Sequence, residues 1–179
     1  MRLAFLVLAM LAAPVPEPGS GITLDYDHDA DFSRYATYRW AAPVEDEEDP
    51  LLEQRLESAV DFHLALRGLR RMGAGEPDLR VTYHSDSGGE VVIDSEALGY
   101  HFGAGWFWGG GPVSSASAVH VYPAGTLVVD LWEASTGRLV WRASASDAVH
   151  MPRPLRDERL ADLVQAMFAL YPPETTREH

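Results

Sequence analysis

LVVDLWEASTGRLVWRA, residues 127–143, contains two runs of alternating side chains joined by a short polar segment. Alternation with a period of two is typical of β-strands, because successive side chains of a strand point to opposite faces of the sheet. The joining residues 133–137 (EASTG) have the length and composition of a tight turn. This stretch therefore predicts an antiparallel hairpin, and with it a fold built on a β-sheet.

The same alternation predicts what each face of the hairpin carries. We expect helices to cover the face formed by Leu127, Val129, Leu131, Leu139 and Trp141. The opposite face then holds Val128, Asp130, Trp132, Val140 and Arg142. Because this second set mixes polar and apolar groups, it suits a partly hydrated protein interface, with Trp132 as an anchor and Asp130 and Arg142 giving direction.

Two helices flank the sheet in the sequence. Apolar residues recur at helical spacing in residues 50–67 and again in residues 154–171. Asp49 is suited to cap the first helix, and Gly68 follows its end, where a left-handed residue is common. Each apolar stripe covers one side only, so we expect each helix to lie on a sheet with its other side in water.

Shorter runs of alternation complete the predicted architecture. Residues 22–26, 37–40 and 79–84 alternate like the hairpin and are interpreted as further strands. The predicted fold is α+β: an antiparallel or mixed β-sheet with two α-helices packed on one face, and a long Gly/aromatic loop. The predicted domains are a signal peptide and short linker at 1–20, a single domain at 21–173 and a tail at 174–179.

The first residues have the pattern of an export signal. Arg2 precedes an apolar run at residues 3–11 (LAFLVLAML), which has the length of a signal-peptide core and is too short to span a bilayer. Cleavage is expected between Ala13 and Gly21. The alternative is an uncleaved anchor or a buried helix. The predicted location is periplasmic or otherwise exported, with no transmembrane span in the mature chain.

The amino-acid composition excludes several classes of function. The chain has 27 acidic and 14 basic residues and a formal net charge of −13, which repels phosphate backbones, so nucleic acid is not expected as a partner. It contains no Cys, no Lys and no Asn. Thiolate nucleophiles, Lys Schiff bases and the P-loop Lys are therefore excluded. No G-x-S-x-G motif occurs either, and we predict no enzyme activity, no catalytic residues and no cofactor.

Acidic and His residues raise the possibility of a metal site. Residues 25–31 hold Asp at every second position, but neither register supplies the Gly and the bidentate Glu of a Ca²⁺ loop, which favours turn chemistry. The acidic run at residues 45–49 is interpreted as a solvated linker ahead of a helix. His84, His101 and His120 would meet only if their strands are neighbours. No metal ligand is assigned.

The Gly/aromatic segment, residues 99–112 (GYHFGAGWFWGGGP), is the most suggestive stretch for binding. Its glycines disfavour a helix, so we interpret it as a long loop between strands. Its aromatic side chains either dock on a protein partner, a glycan or a membrane interface, or fold back over the sheet as a lid. The candidate partner-binding residues are Trp106, Phe107, Trp108, Trp132, Asp130 and Arg142.

Several segments resemble one bacterial family, domain of unknown function 4136. The resemblance lies, in order, in residues 25–40, 66–69, 77–84, the Gly/aromatic segment, 125–131 and 136–142. It implies an extracytoplasmic protein of Gram-negative-type envelopes, commonly a lipoprotein, with no established activity. This chain lacks the Cys that would carry a lipid, so no lipid anchor is expected.

These observations lead to three hypotheses of function. The first is a non-enzymatic accessory or binding module of the cell envelope, with an envelope protein as its partner. The alternative is a metal- or small-ligand-binding periplasmic domain, and the third is a cryptic hydrolase without a visible motif.

Overall fold

The structure is a computed structural model that describes residues 21–41, 50–85, 89–94, 101–102, 107–108, 111–112, 119–146, 148, 153–169 and 171–173. Its strands are β1 Ile22–Tyr26, β2 Thr37–Trp40, β3 Arg70–Arg71, β4 Leu79–Ser85, β5 Val91–Asp94, β6 His101–Phe102, β7 Phe107–Trp108, β8 Gly111–Pro112, β9 Val119–Tyr122, β10 Leu127–Glu133 and β11 Arg138–Ala145. Its helices are α1 Pro50–Leu66 and α2 Arg153–Phe168, with a short 3-10 turn at Phe32–Arg34.

The main sheet is mixed and has the order β1-β11-β10-β4-β2-β3, with β6 paired to β11. The pairs among β1, β11, β10 and β4 are antiparallel, whereas β2 runs parallel to both β4 and β3. The predicted hairpin is β10 and β11, joined at the expected turn. Together with the two helices, this sheet confirms the predicted α+β fold.

Both helices pack on one face of the main sheet. Buried side chains of α1 and α2 join those of β10 and β11 in one core cluster, which includes Leu56, Val60, Leu64, Leu160, Val164, Met167, Phe168, Leu127, Val129, Leu131 and Trp141. Trp141 is fully buried, and its ring centroid lies 4.8 Å from that of Phe168. The helix-side assignment of Trp141 is therefore confirmed.

The end of α1 follows from its sequence. Gly68 adopts a φ of +84°, a conformation that glycine reaches without the steric cost of a Cβ. The N–H of Leu69 donates to the carbonyl of Leu64 at 3.1 Å, and that of Gly68 to the carbonyl of Ala65 at 3.0 Å. This pair of bonds satisfies carbonyls that the helix end would otherwise leave without partners. The cap predicted at Asp49 lies outside the described residues.

A β-bulge interrupts the hairpin. Leu131 pairs with Trp141, whereas the next residue, Trp132, pairs with Leu139, so Val140 is an extra residue in β11. Leu139 therefore points to the outer face, and Val140 joins the helix-side core. Our assignment of Leu139 and Val140 to faces was wrong, because strict alternation fails where a bulge inserts one residue.

A second, two-stranded sheet covers the outer face of the main sheet. Strands β5 and β9 pair antiparallel, and we call them the ribbon. The ribbon's Val91 and Ile93 pack on Val128 and Leu139 in a smaller cluster, the outer cluster. Sequence alternation did not predict this second layer, so the outer face that we expected to be open is largely enclosed.

Candidate binding site

A charged pair is buried between the main sheet and the ribbon. Asp130 and Arg142 are direct cross-strand partners of β10 and β11 on the outer face. The Arg142 guanidinium donates from Nε to Asp130 Oδ1 and from Nη2 to Asp130 Oδ2, both at 2.6 Å. Arg142 is 1% exposed and Asp130 is 0% exposed. This two-pronged geometry is the strong form of an arginine–carboxylate pair, and it offsets part of the cost of removing two charges from water.

A second carboxylate lies on the other side of Arg142. Asp25 of β1 pairs directly with Arg142, so the row across three strands reads Asp25, Arg142, Asp130. The Asp25 Oδ1 accepts a hydrogen bond from its neighbour, the Tyr26 N–H, at 2.9 Å. Burial raises the pKa of Asp25 to about 6, against smaller lowering effects of the Tyr26 N–H, His28 and Arg142. Asp25 therefore changes its charge in mildly acidic solution.

Groups from the ribbon and its neighbours enclose this row of charges. The Arg142 Nη1 lies 3.5 Å from the hydroxyl of Tyr122 on β9, and burial raises the pKa of that hydroxyl. The guanidinium carbon lies 5.8 Å from the ring centre of Phe102 on β6. On β4, the His84 Nε2 lies 3.9 Å from Asp130 Oδ2. The ribbon and the main sheet are therefore joined by a polar contact at Arg142 as well as by the apolar contacts of the outer cluster.

The three His residues that were weighed as a metal site do not form one in the described part of the chain. His120 is buried with its ring centroid 5.1 Å from that of Phe102, whereas His101 is exposed. No group of three His, Asp or Glu residues within the described ranges is placed to hold a metal ion.

The repeated Asp residues after β1 serve local turns. The Asp27 Oδ1 accepts from the Asp29 N–H at 2.9 Å. The Asp31 Oδ1 accepts from the N–H and the hydroxyl of Ser33, at 3.2 and 2.6 Å, at the start of the 3-10 turn. These contacts agree with the interpretation of the segment as turn chemistry.

The candidate partner-binding residues are separated by the fold. Asp130 and Arg142 are interior, so the exposure that we expected of them is corrected: the ribbon covers them. Trp132 is half-buried at the rim of the outer cluster, with the Arg80 guanidinium carbon 5.6 Å from its ring centre. Phe107 and Trp108 form β7, which pairs with β8 and lies against β1. Trp106 lies outside the described residues.

An exposed apolar surface that the sequence analysis missed lies on the outward side of the ribbon. Val92 is 59% exposed, Val119 is 53% exposed and Val121 is 56% exposed. They alternate with inward side chains such as Ile93, which is fully buried. We call these three residues the valine face. Asp94, an exposed acid directly opposite Val119, lies on the same side of the ribbon and borders this face. The signal was present in the sequence as VVID at 91–94 and VHVY at 119–122, where apolar side chains occupy both faces of each strand.

The geometry defines a class: a three-layer α+β domain whose main sheet bears helices on one face and a small β-ribbon on the other. The chain belongs to the family DUF4136, a domain of unknown function, whose model matches residues 22–173. This confirms the resemblance seen in the sequence. No protein of curated function matches the chain. In the described ranges, no helix is both long and apolar enough to cross a membrane.

Two solved structures are similar to this chain at low sequence identity. A PDZ domain protein from Parabacteroides distasonis is 18% identical, with a TM-score of 0.55 over 86% of this chain, and this chain corresponds to only 36% of that protein. The PelC dodecamer from Paraburkholderia phytofirmans is 13% identical, with a TM-score of 0.38 over 83% of this chain and 96% of that one. The first likeness concerns the fold alone, and the second is too distant to carry an argument.

Proposed function

We propose that this protein is a non-enzymatic accessory module of the cell envelope that binds a protein partner through the valine face of its ribbon. The observation that carries the proposal is the exposure of Val92, Val119 and Val121, each more than half accessible, side by side on a two-stranded sheet. Single exposed apolar residues are ordinary, whereas a contiguous apolar patch on a sheet is typical of an interaction surface.

The layer beneath the ribbon supports this proposal. A two-stranded sheet is marginally stable by itself in water. Here Val91 and Ile93 attach the ribbon to the main sheet through the outer cluster, and the Tyr122 hydroxyl lies 3.5 Å from the Arg142 guanidinium. A face held in this way is preorganised, so little conformational entropy is lost when a partner covers it.

The residues first singled out have different parts in this proposal. Asp130 and Arg142 act indirectly, by holding the ribbon in place. Trp132 lies at the rim of the outer cluster, beneath the ribbon, and supports the ribbon from the main sheet. Trp106, Phe107 and Trp108 remain candidates for extending that surface, and we propose no catalytic or metal-binding role for any of these residues.

Site-specific photo-crosslinking in the native envelope tests the proposal. A photoreactive residue at Val121 is expected to give a discrete adduct with one envelope protein, identified by mass spectrometry. The matched control is Phe62 on α1, an apolar residue of similar exposure, 60% against 56%, on the helix side of the protein. An adduct from position 62 and none from position 121 would overturn the assignment of the surface.

Export is the second part of the proposal and rests on Arg2 and the apolar run at residues 3–11. Mature protein recovered from the envelope is expected to begin between Pro14 and Ile22. N-terminal sequencing of the fractionated protein measures this directly. A chain that retains Met1 and is found in the cytoplasm contradicts the location while leaving the proposed binding surface to the crosslinking experiment.

A further inference from the structure

We infer that the partner of the valine face is basic: its apolar side chains cover the three valines, and its Lys or Arg side chains meet acidic residues along β5. This inference rests on the proposed function, because it describes the chemistry of the partner that binds at the same surface. The apolar centre of the face determines where the partner binds, and the acids beside it determine which partner fits.

Two exposed acids lie at the ends of β5. Glu90 immediately precedes the strand, and Asp94 is its last residue. Val92 lies midway between them, and Asp94 shares its outward side because residues two positions apart in a strand point to the same face. Four residues of extended chain span about 13 Å, so an acid lies on either side of the apolar centre along one strand.

The second strand of the ribbon differs from the first. The outward residues of β9 are Val119 and Val121, and the strand contains no acid. The valine face therefore has an acidic edge along β5 and an apolar edge along β9. A partner that matches both edges needs basic groups beside its apolar groups, and this asymmetry also fixes the orientation of the partner on the ribbon.

The charge of the whole chain acts in the same direction. The chain has 27 acidic and 14 basic residues, so its potential attracts a cationic partner from a distance and repels an anionic one. Charges at the rim of an interface chiefly raise the association rate and exclude wrong partners, whereas well-packed apolar contacts slow dissociation. We therefore expect Glu90 and Asp94 to determine selectivity and the valines to determine how long the complex lasts.

The same charges disfavour the other occupants of an exposed apolar face. A second copy carries the same acids and the same formal charge of −13, so two copies repel each other. A membrane surface that contains anionic lipids repels the chain for the same reason. A basic protein segment is the occupant that the charge of this face favours.

Helix α2 supplies a matched control pair. Glu158 and Asp162 are exposed, have the same residue types as Glu90 and Asp94, and are also four positions apart. Replacement of either pair by Gln and Asn removes two of the 27 acids, so both double variants change the net charge equally. Comparison of the two variants separates a contact at the ribbon from general attraction between an acidic chain and a cation.

Fluorescence anisotropy of labelled peptides measures the preference of the purified mature chain. The peptides share one apolar centre and carry Lys, Gln or Glu at both ends. The Lys-flanked peptide is expected to bind about tenfold tighter than the Gln-flanked one, through two exposed ion pairs. Glu90→Gln with Asp94→Asn is expected to abolish most of this preference, whereas Glu158→Gln with Asp162→Asn retains it. A preference that is absent, or that falls equally in both variants, overturns the inference.

Photo-crosslinking from position 121 in the native envelope separates this inference from the proposed function. Mass spectrometry of the adduct is expected to find Lys or Arg beside apolar residues at the crosslinked site, and the yield is expected to fall in the Glu90 and Asp94 variant alone. A protein adduct whose site holds no basic residue overturns the inference and leaves the proposed function standing. An adduct with a lipid or a second copy contradicts both. No adduct, with the peptide preference retained, contradicts the proposed function alone.

Discussion

Replacement of Asp25 by Asn is expected to stabilise the protein at neutral pH. The Asp25 side chain is half-buried on β1 beside Arg142, and burial raises the pKa of its carboxyl from 3.8 to about 6. Between these two values the folded state binds more protons at this site than the unfolded state, so the free energy of unfolding falls as pH rises from about 4 to about 6. Above that window, the buried charge of Asp25 is a full cost, which Asn does not carry.

The size of this effect follows from the pKa difference. A rise from 3.8 to about 6 corresponds to about 3 kcal/mol, and residual contact of the carboxylate with water reduces this to about 1–2 kcal/mol. The Asn side chain keeps an Oδ1 that can accept the Tyr26 N–H, so that bond does not enter the difference. We therefore expect Asp25→Asn to gain about 1–2 kcal/mol at pH 7.5 and nothing near pH 3.5.

Urea unfolding at pH values from 3.5 to 8 measures this gain. The control is Glu90→Gln, which neutralises an exposed acid in the same way and is expected to gain less stability at pH 7.5 than Asp25→Asn. A variant Asp25→Asn that is less stable than the original at pH 7.5 would refute the reasoning. It would mean that attraction between the Asp25 carboxylate and the Arg142 guanidinium exceeds the cost of burial.

Three further substitutions test other parts of the structure by the same unfolding measurement. Arg142→Leu removes the guanidinium that binds both oxygens of the buried Asp130 carboxylate, and we expect it to cost about 3–5 kcal/mol. The double change Asp130→Leu with Arg142→Leu is expected to cost less than that single change. Trp141→Ala is expected to cost about 3–5 kcal/mol as a core truncation, and Trp132→Ala less, because Trp132 is only half-buried. Gly68→Ala is expected to cost about 1 kcal/mol through backbone strain at φ +84°, since no atom lies within 4 Å of the added Cβ; equal or greater stability would contradict this.

Local signals in the sequence predicted much of the main sheet and its helices. The first helix was placed at residues 50–67 and is observed at Pro50–Leu66. Its ends were predictable because Pro favours the first helical position and Gly the position after the last, both through backbone geometry alone. The hairpin was readable because Asp130 and Arg142 interrupt the apolar residues and mark one face. Where no polar residue marks a face, the prediction failed. Leu139, Val140 and Trp141 are all apolar, so nothing in the sequence showed that a bulge places Leu139 and Val140 on the faces opposite to those predicted.

The candidate site was less accessible to sequence reasoning. Asp130 and Arg142 were correctly paired on one face, but a charged pair suggests an open face unless the covering layer is known. That layer consists of two four-residue strands, Val91–Asp94 and Val119–Tyr122, far apart in the sequence. VVID carries apolar residues on both sides, and VHVY alternates Val with His and Tyr, which would have assigned its valines rather than His120 to the interior. Their pairing is a long-range contact that no local pattern encodes.

Among the residues that the structure describes, 23 buried residues form the helix-side core and four form the outer cluster. Within those ranges the ribbon shares no strand pairing with the main sheet, so we expect it to separate from that sheet with less free energy than unfolding of the whole domain requires. The backbone amides of the ribbon are accordingly expected to exchange with solvent deuterium through this partial opening. Those of β10 and β11 are expected to exchange only through global unfolding. In its rare opened state the molecule would briefly expose Asp130 and Arg142 to water while its helices and central strands stay folded.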